Sequence, residues 1–212
     1  MHHTSEELEH YILDQARHED DLLYELYRET HKKVLHPRML SGGVQGKMLE
    51  MLSKMLHPTA ILEIGTYTGY SAICLARGLA PDGKLDTIEI NDELEDFIRH
   101  YLKRSDRQGQ IHLHIGDALQ MIRQVEGPYD LIFIDGDKRE YPEYLDLCKP
   151  LLSPGGMLLA DNVLWDGKVL EGSTRDPHTQ GIQRFNEMVR DDPQLESIIL
   201  PVRDGLMMAR KR

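Results

Sequence analysis

The sequence predicts an α/β domain built on a doubly wound, mostly parallel sheet. Its 212 residues are enough for one sizeable core and are short for two independent domains. After Pro58, short apolar runs alternate with amphipathic segments, a rhythm that produces parallel strands joined by helices. An Asp-Gly step near the end of the chain interrupts this rhythm. We therefore expect a single domain, 1–212, in which a helical part, 1–57, packs on the sheet-containing core, 58–212.

The first third of the chain is predicted to be helical. Apolar residues recur there at intervals of three and four, which places them on one face of a helix. They form three successive groups, Leu8, Ile12 and Ala16, then Leu22, Leu23, Leu26, Tyr27 and Val34, then Val44, Met48, Met51, Leu52 and Met55.

Five buried strands are predicted after Pro58. They lie at Ala60–Ile64, Lys84–Ile90, Ile111–Ile115, Tyr129–Ile134 and Met157–Ala160. The helices between them are predicted to start near Thr68, Asp92, Ala118 and Lys138.

The end of the chain predicts a hairpin. After a helix at about Thr179–Arg190, two apolar runs at Leu195–Val202 and Leu206–Arg210 are separated by Arg203-Asp204-Gly205. An Asp-Gly step favours a tight turn, so we expect the last strand to be antiparallel. The resulting architecture is a Rossmann-like, seven-stranded sheet with N-terminal helices. Such a sheet binds ligands beyond the carboxyl ends of its parallel strands.

Composition restricts the partners and the compartment. The formal net charge of -11 repels polyanions in general, although a local basic patch can still bind nucleic acid. Small molecules are therefore favoured as ligands. No apolar run approaches the roughly 20 residues of a membrane span, and Met1–Glu7 lacks the features of a secretory signal. We expect a cytoplasmic protein in which Cys74 and Cys148 are core residues without a disulfide.

The loop after the first predicted strand is typical of a nucleoside site. Gly65 permits a sharp turn, and Gly69 lets the following helix pack close to the loop. The third glycine of a dinucleotide fingerprint is missing, and Glu63 is unsuited to a phosphate. A carboxylate here suits an ammonium group, such as the one beside the sulfonium of S-adenosylmethionine.

Acidic residues also follow the next two strands. Glu89 can accept hydrogen bonds from both hydroxyls of a ribose, and Asp117 can face the exocyclic amine of an adenine. Either acid, taken alone, can instead cap a helix or lie in a solvated turn. Three acids at successive strand ends favour the nucleoside site.

The fourth and fifth strands end in hard oxygen ligands. If these strands are neighbours, Asp135, Asp161 and Asn162 come together, and such a set suits Mg²⁺. Ordinary loop and capping chemistry is the alternative for each segment alone. Mg²⁺ normally keeps positions open for water or substrate, so the predicted site is also an acceptor site.

Lys138 stands at the start of a predicted helix, where the macrodipole disfavours a cation. A nearby divalent ion would favour its neutral amine, which makes it a candidate general base for an acceptor hydroxyl. Metal coordination and proton removal would together produce the oxygen anion that attacks the sulfonium methyl group. A solvated surface lysine is the alternative.

Taken together, these motifs resemble the cation-dependent O-methyltransferases related to catechol and caffeoyl-CoA O-methyltransferases, which are class I S-adenosylmethionine-dependent enzymes. The resemblance runs from Met39–Gly46 through Leu62–Ser71 to Asp161–Trp165 and Asp204-Gly205. It implies a set of cofactor contacts consisting of Met39, Ser41, Glu63, Gly65, Thr66, Tyr67, Ser71, Glu89, Asp117, Ala118 and Asp135. It also implies a metal held by Asp135, Asp161 and Asn162, with Lys138 as the catalytic residue.

The acceptor is less defined. Asp137 precedes the lysine where the animal catechol enzymes have a tryptophan, so Trp165 and the loop 166–178 are expected to shape the acceptor pocket instead. A core role is the alternative for Trp165. The leading hypothesis is methylation of a small catechol-like hydroxyl compound by a homodimer.

One other function, methylation of tRNA, stays open, and two further functions are disfavoured. Some bacterial relatives methylate 5-hydroxyuridine in tRNA, which makes that reaction the alternative. Two basic groups can supply its phosphate contacts, namely Lys32, Lys33, His36 and Arg38, and Arg99, Lys103, Arg104 and Arg107. Solvated helix faces are the other explanation of both groups. The loop chemistry disfavours an NAD-dependent oxidoreductase, and the catalytic set disfavours a binding protein without catalysis.

Overall fold

The computed structural model describes residues 6–15 and 20–212. The helical prediction at Ala16 and the interpretation of the first five residues lie outside this part of the chain.

Eight helices and seven strands make up the described residues. The helices are α1 Glu6–Gln15, α2 Asp21–Lys33, α3 Gly42–Leu56, α4 Tyr70–Ala76, α5 Glu95–Leu102, α6 Ala118–Met121, α7 Tyr141–Leu151 and α8 Pro177–Asp191. The strands are β1 Ala60–Ile64, β2 Lys84–Glu89, β3 Ile111–Ile115, β4 Tyr129–Ile134, β5 Leu152–Ala160, β6 Leu195–Leu200 and β7 Leu206–Lys211. Short 3-10 helices occur at Pro37–Met39, Asp92–Leu94, Lys138–Glu140 and Trp165–Leu170.

The strands form one sheet in the order β3-β2-β1-β4-β5-β7-β6. The first five of these strands pair in parallel, whereas β7 is antiparallel to both β5 and β6. The predicted seven-stranded sheet with an antiparallel last strand is therefore confirmed. The strand order runs outward from β1 in both directions, through β2 to β3 and through β4 to β5. The topological switch point, where such sheets bind ligands, therefore lies between β1 and β4.

Both faces of the sheet are covered. Leu62 and Ile132 enter an apolar cluster that includes Phe185 of α8, whereas their neighbours Ile61 and Leu131 enter a second cluster with other helices. The second cluster also contains Leu23, Leu26 and Leu49 from the N-terminal helices. Alternate strand residues point to opposite faces, so the split between clusters follows from the two-residue period of a strand.

Two sequence expectations about the core can be checked directly. Cys74 and Cys148 are both buried, as predicted. None of the helices in the described ranges is long and apolar enough to cross a membrane.

One strand boundary was predicted wrongly by more than two residues. β5 begins at Leu152, five residues before the predicted Met157. Ser153-Pro154-Gly155-Gly156 contains residues that weaken a strand, but Leu152 pairs with Tyr129 across a shift in register. The pairing partner on β4 therefore overrides the local preference of this segment.

Candidate active site

Backbone hydrogen bonds hold the ends of β1, β4 and β5 in a row. The amide of Asp135 donates to the carbonyl of Ile64 at 2.8 Å, and the amide of Asp161 donates to the carbonyl of Ile134 at 3.0 Å. Asp135 therefore follows β4 beside the end of β1, and Asp161 follows β5 beside the end of β4. The expectation that β4 and β5 are neighbours is confirmed.

A narrow cavity lies at this edge of the sheet. Its walls consist of Met39, Leu40, Ser41, Gly65, Thr66, Tyr67, Tyr70, Ser71 and Asp135. Seven of these nine residues belong to the predicted cofactor set. Leu40 and Tyr70 were not predicted, although both lie inside the segments Met39–Gly46 and Leu62–Ser71.

A larger cavity of about 760 Å³ lies between α8, β6 and the segment before α8. Its walls include Gln183, Arg190 and Glu171 of the loop 166–178, but none of the predicted cofactor, metal or catalytic residues. The smaller cavity is the better candidate because it lies beyond the carboxyl ends of parallel strands, where this fold binds ligands.

Gly65 forms the floor of the smaller cavity in a conformation that favours glycine. Its φ is 97°, and a Cβ atom there would lie 2.3 Å from the carbonyl oxygen of Asp135. Any other residue would push the β1 loop away from β4. The tight approach is what brings the loop and Asp135 to the same cavity.

Glu63 is fully buried beneath this loop, with 0% of its surface exposed. One carboxylate oxygen accepts a hydrogen bond of 2.5 Å from the hydroxyl of Thr87, whereas Oε1 has no partner within the described residues. Burial raises the pKa of this carboxyl to about 8, against the effect of the Ser71 and Thr87 hydroxyls. Such a group is well suited to receive a cation.

Glu89 turns back toward the loop after β1. Its carboxylate accepts hydrogen bonds from the backbone amides of Tyr67 at 2.6 Å and Asn91 at 2.9 Å. Burial raises its pKa, and these amides oppose the increase. The carboxylate therefore stays next to the cavity.

Asp117 and Ala118 follow β3 and are half-buried. Asp117 caps α6 by accepting a hydrogen bond of 3.0 Å from the amide of Gln120. The capping role considered in the sequence analysis is therefore present in the structure. A cap uses one carboxylate oxygen, and the other stays available.

Lys138 is buried, with 8% of its surface exposed, so the alternative of a solvated surface lysine is wrong. Its Nζ atom donates to Oδ1 of Asp135 at 2.8 Å and to the hydroxyl of Tyr141 at 2.7 Å. Tyr141 in turn donates to the carbonyl of Asp161 at 2.9 Å. Tyr141 was not predicted as a site residue, although its position three residues after Lys138 puts both on one helical face.

Asp161 is also buried and takes part in a second network. Its Oδ2 atom accepts a hydrogen bond of 2.8 Å from the carboxamide of Gln45. Burial and the nearby Asp161 charge raise the pKa of Asp135 to about 6, although Lys138 acts in the opposite direction. Asn162 follows Asp161 directly and has a left-handed backbone, with φ 57°.

The predicted metal ligands contain two carboxylates and one amide. Within residues 6–15 and 20–212, no group of three or more His, Cys, Asp or Glu side chains is arranged to hold a metal ion. Asp135 and Asp161 nevertheless follow adjacent strands, and the charge of Asp161 adds to the effect of burial in raising the pKa of Asp135. This donor chemistry fits a hard divalent cation.

The predicted acceptor residues, Asp137 and Trp165, both lie near His178. Trp165 stacks on His178 with ring centroids 6.0 Å apart and an interplanar angle of 20°. Trp165 is half-buried and packs against the first apolar cluster, so the core role considered for it is present in the structure. Asp137 forms an ion pair with Arg139 and lies 4.0 Å from His178. The sequence analysis did not single out His178.

Comparison with known proteins identifies the class. The sequence profile of the O-methyltransferase family matches residues 13–212. A catechol O-methyltransferase of Niastella koreensis is 34% identical over 213 residues, which cover 96% of each chain. A caffeoyl-CoA O-methyltransferase of Stellaria longipes is 28% identical and covers 98% of this chain and 91% of that protein.

Solved structures give the same result. An O-methyltransferase from Bacillus cereus, in complex with S-adenosylhomocysteine, has a TM-score of 0.91 at 32% identity over 96% of each chain. TomG from Streptomyces achromogenes, in complex with S-adenosylmethionine, has a TM-score of 0.89 at 30% identity over 97% of this chain and 96% of that one. The fold and site thus define a class I methyltransferase. The chain belongs to the family of S-adenosylmethionine-dependent O-methyltransferases.

Proposed function

We propose that this enzyme methylates a hydroxyl oxygen of a small, catechol-like aromatic acceptor with the help of a divalent metal, Mg²⁺. The proposal rests on one observation above all. Asp135 lines the cofactor cavity and also binds Lys138, which connects through Tyr141 to Asp161. Methyl donor, base and oxygen ligands therefore meet at a single carboxylate.

The cofactor assignment is supported by the unpaired oxygen of Glu63. The α-ammonium group of S-adenosylmethionine would supply the cation that this buried carboxylate lacks. Glu89 would hold the ribose hydroxyls, and Asp117 would accept a hydrogen bond from the adenine amine. Met39 and Ser41 would close over the methionine end of the cofactor.

The metal would be held by Asp135, Asp161 and Asn162. When bound, it would polarise the acceptor hydroxyl and orient it beside the cofactor. Asp161 is held in place by Gln45 without the metal, so the site is partly organised beforehand.

Lys138, as the neutral amine, would accept the proton of the acceptor hydroxyl. The oxygen would then form a bond to the methyl carbon as the carbon–sulfur bond of the sulfonium breaks, leaving S-adenosylhomocysteine and a methyl ether. Asp135 and Tyr141 hold Nζ of Lys138 from two directions, so the base has a fixed position. Positioning of this kind is a large part of what an enzyme contributes to methyl transfer.

A planar acceptor is favoured by the stack of Trp165 on His178. Both rings lie close to the turn that carries Lys138, since His178 is 4.0 Å from Asp137. An aromatic acceptor would bury its flat face against such rings.

The tRNA alternative gains no support from the basic clusters. Lys32 and Lys33 both pair with Glu29, and Arg104 pairs with Glu25. A cation already paired with an acid contributes less to phosphate binding. The net charge of -11 acts in the same direction.

A homodimer built on the N-terminal helices is also proposed. Eight large apolar residues of α1, α2 and α3 are exposed, namely Leu8, Tyr11, Ile12, Tyr24, Tyr27, Met51, Met55 and Leu56. An apolar surface of this extent is typical of a surface that binds a partner, and symmetric dimers are the commonest oligomers.

Methyl-transfer assays would test the activity. The purified protein is incubated with S-adenosylmethionine and either a panel of vicinal-diol phenols or hypomodified total tRNA, each with Mg²⁺ or with excess EDTA. We expect methylation of phenols with Mg²⁺ only. Methylation of tRNA alone would replace the proposed acceptor, and full activity in EDTA would remove the metal.

A further inference from the structure

The hairpin between β6 and β7 is locked onto the loop that follows β5. The amide of Val163 donates to the carbonyl of Gly205 at 3.1 Å, and the amide of Leu164 donates to that of Asp204 at 2.9 Å. A Cβ atom on Gly205 would lie 2.4 Å from Cγ of Leu164. The hairpin therefore has one fixed position relative to Asp161 and its neighbours.

Arg203 extends from this hairpin to the opposite wall of the site. Its Nη1 atom donates to the carbonyl of Ser41 at 2.7 Å and also to Oε1 of Gln45. Its backbone is left-handed, with φ 50°, a conformation that costs free energy in an arginine. The hydrogen bonds at the guanidinium offset that cost.

Gln45 continues the connection inward. It is almost fully buried, with 1% exposed, and its amide nitrogen donates to Oδ2 of Asp161. A carboxamide both accepts and donates, so Gln45 can bridge a cation and a carboxylate. A chain of hydrogen bonds therefore runs from the cofactor wall at Ser41, through Arg203 and Gln45, to a proposed metal ligand.

We propose that Arg203 and Gln45 are positioning residues that couple the cofactor wall to the acceptor side of the site. Arg203 holds the Met39–Ser41 segment against the cofactor, and it acts on Asp161 only through Gln45. The inference rests on the proposed function, because it assigns Ser41 to the cofactor and Asp161 to the metal. Neither residue contacts the reacting atoms.

The test compares Arg203→Met, Gln45→Met and the double variant. Calorimetric titration with S-adenosylhomocysteine measures cofactor affinity, which reports on the Met39–Ser41 wall. The free Mn²⁺ signal in electron paramagnetic resonance measures metal affinity, which reports on Asp161. Arg203→Met should weaken S-adenosylhomocysteine binding by about tenfold, the size expected for one charge-assisted hydrogen bond. Gln45→Met should leave it within about twofold and weaken Mn²⁺ binding by about tenfold or more, as loss of an outer-shell partner does.

The double variant distinguishes coupling from general damage. If Arg203 acts on Asp161 only through Gln45, the double variant binds Mn²⁺ no more weakly than Gln45→Met alone. Arg203→Lys, which keeps a cationic donor, should regain part of the cofactor affinity. Arg190→Met is the matched control, since Arg190 pairs with Asp191 on the surface of α8.

Several results would overturn the inference. They are unchanged cofactor affinity in Arg203→Met, additive losses of Mn²⁺ affinity in the double variant, or losses that simply follow the melting temperatures. Wild-type protein that binds S-adenosylhomocysteine but not Mn²⁺ would overturn the coupling and the metal together. Wild-type protein that binds neither would instead overturn the proposed function.

Discussion

Lys138 and Tyr141 are joined by a hydrogen bond of 2.7 Å between Nζ and the phenol oxygen. The Tyr141 hydroxyl has a second role, because it donates to the carbonyl of Asp161 at 2.9 Å. One buried hydroxyl therefore connects the turn that carries the proposed base to the strand end that carries a proposed metal ligand. Burial raises the pKa of Tyr141 well above its ordinary value, so the hydroxyl stays protonated.

We predict that Tyr141→Phe lowers kcat by about tenfold, because the proposed base loses one of the two hydrogen bonds that fix its position. Unfolding free energy should also fall by about 1–3 kcal/mol, because a buried carbonyl loses its donor. Tyr144→Phe is the control, since it removes a hydrogen bond of 2.7 Å to Glu140 on the same helix. Equal kcat in Tyr141→Phe and wild type would show that Tyr141 does not position the base.

A second prediction concerns Gly181 of α8, which packs closely against the backbone of Lys138. A Cβ atom there would lie 2.3 Å from the carbonyl oxygen of Lys138. Gly181→Ala should cost about 1–3 kcal/mol of unfolding free energy through overpacking and should lower kcat more than it changes cofactor affinity. Gly109→Ala is the matched control because no atom lies within 4 Å of its Cβ position and Gly109 belongs to no part of the proposed site. Denaturant titration with steady-state kinetics would check both variants, and wild-type behaviour of Gly181→Ala would contradict the packing argument.

Glu63 predicts a pH dependence of cofactor binding. Its pKa is about 8 in the folded protein against 4.5 for an exposed carboxyl. Below pH 8 an incoming ammonium group must displace a proton from Glu63, so affinity for S-adenosylhomocysteine should rise with pH up to about that value. Calorimetry in buffers of different ionisation enthalpy should detect the released proton. Glu63→Gln should bind more weakly, by about 1.5–3 kcal/mol, and without this pH dependence.

The Glu63 carboxyl also makes the unfolding free energy of the ligand-free protein depend on pH. Because the folded pKa is raised, the folded state holds the proton longer, and the stability from this group is lost as pH rises from 4.5 through 8. The slope is about 1.4 kcal/mol per pH unit within that window. Relative to wild type, Glu63→Gln should therefore gain stability as pH rises. A constant difference between the two proteins would contradict the raised pKa.

A substitution at Asp161 should affect turnover and cofactor affinity differently. Asp161→Ala should reduce turnover by about a hundredfold or more, because metal assistance contributes several kcal/mol to such reactions. Affinity for S-adenosylhomocysteine should change little, since Asp161 does not line the cofactor cavity. Turnover with and without EDTA, together with cofactor calorimetry, measures both. A wild-type rate in this variant would leave a metal-independent methyltransferase as the explanation.

The proposed dimer has a direct measurement. Light scattering should give a mass of about twice 24.4 kDa at micromolar concentration. Met55→Lys places a charge on the exposed apolar surface of α3, where Met55 is 79% exposed, and should shift the protein toward monomer. A monomeric wild type would contradict the proposal.

Local patterns were sufficient for most of the fold. Each predicted strand is a short apolar run bounded by turn residues, and all seven are present in the sheet. The start of β5 was missed because its partner Tyr129 lies on another strand and compensates for Pro154 and its neighbouring glycines. Local propensity carries no information about such a partner.

The residues of the candidate site also fall into those that local patterns predict and those that depend on tertiary packing. Residues at strand ends, such as Glu63, Asp135 and Asp161, were predictable because topology alone brings strand ends together. Gln45 and Arg203 were not, since they are separated by 158 residues and meet only after the hairpin and α3 have packed. A pattern within one segment cannot show that a glutamine and an arginine so far apart share a hydrogen bond.

The position of β7 has a consequence for biosynthesis. β7 is last along the chain but lies between β5 and β6 in the sheet. A ribosome must therefore synthesise residues through Lys211 before the nascent sheet can close. Until then β5 offers an open edge, which is a template for aggregation. Translation that stops before Leu206 would yield a chain with this exposed edge, which cellular proteases and chaperones can recognise as unfinished.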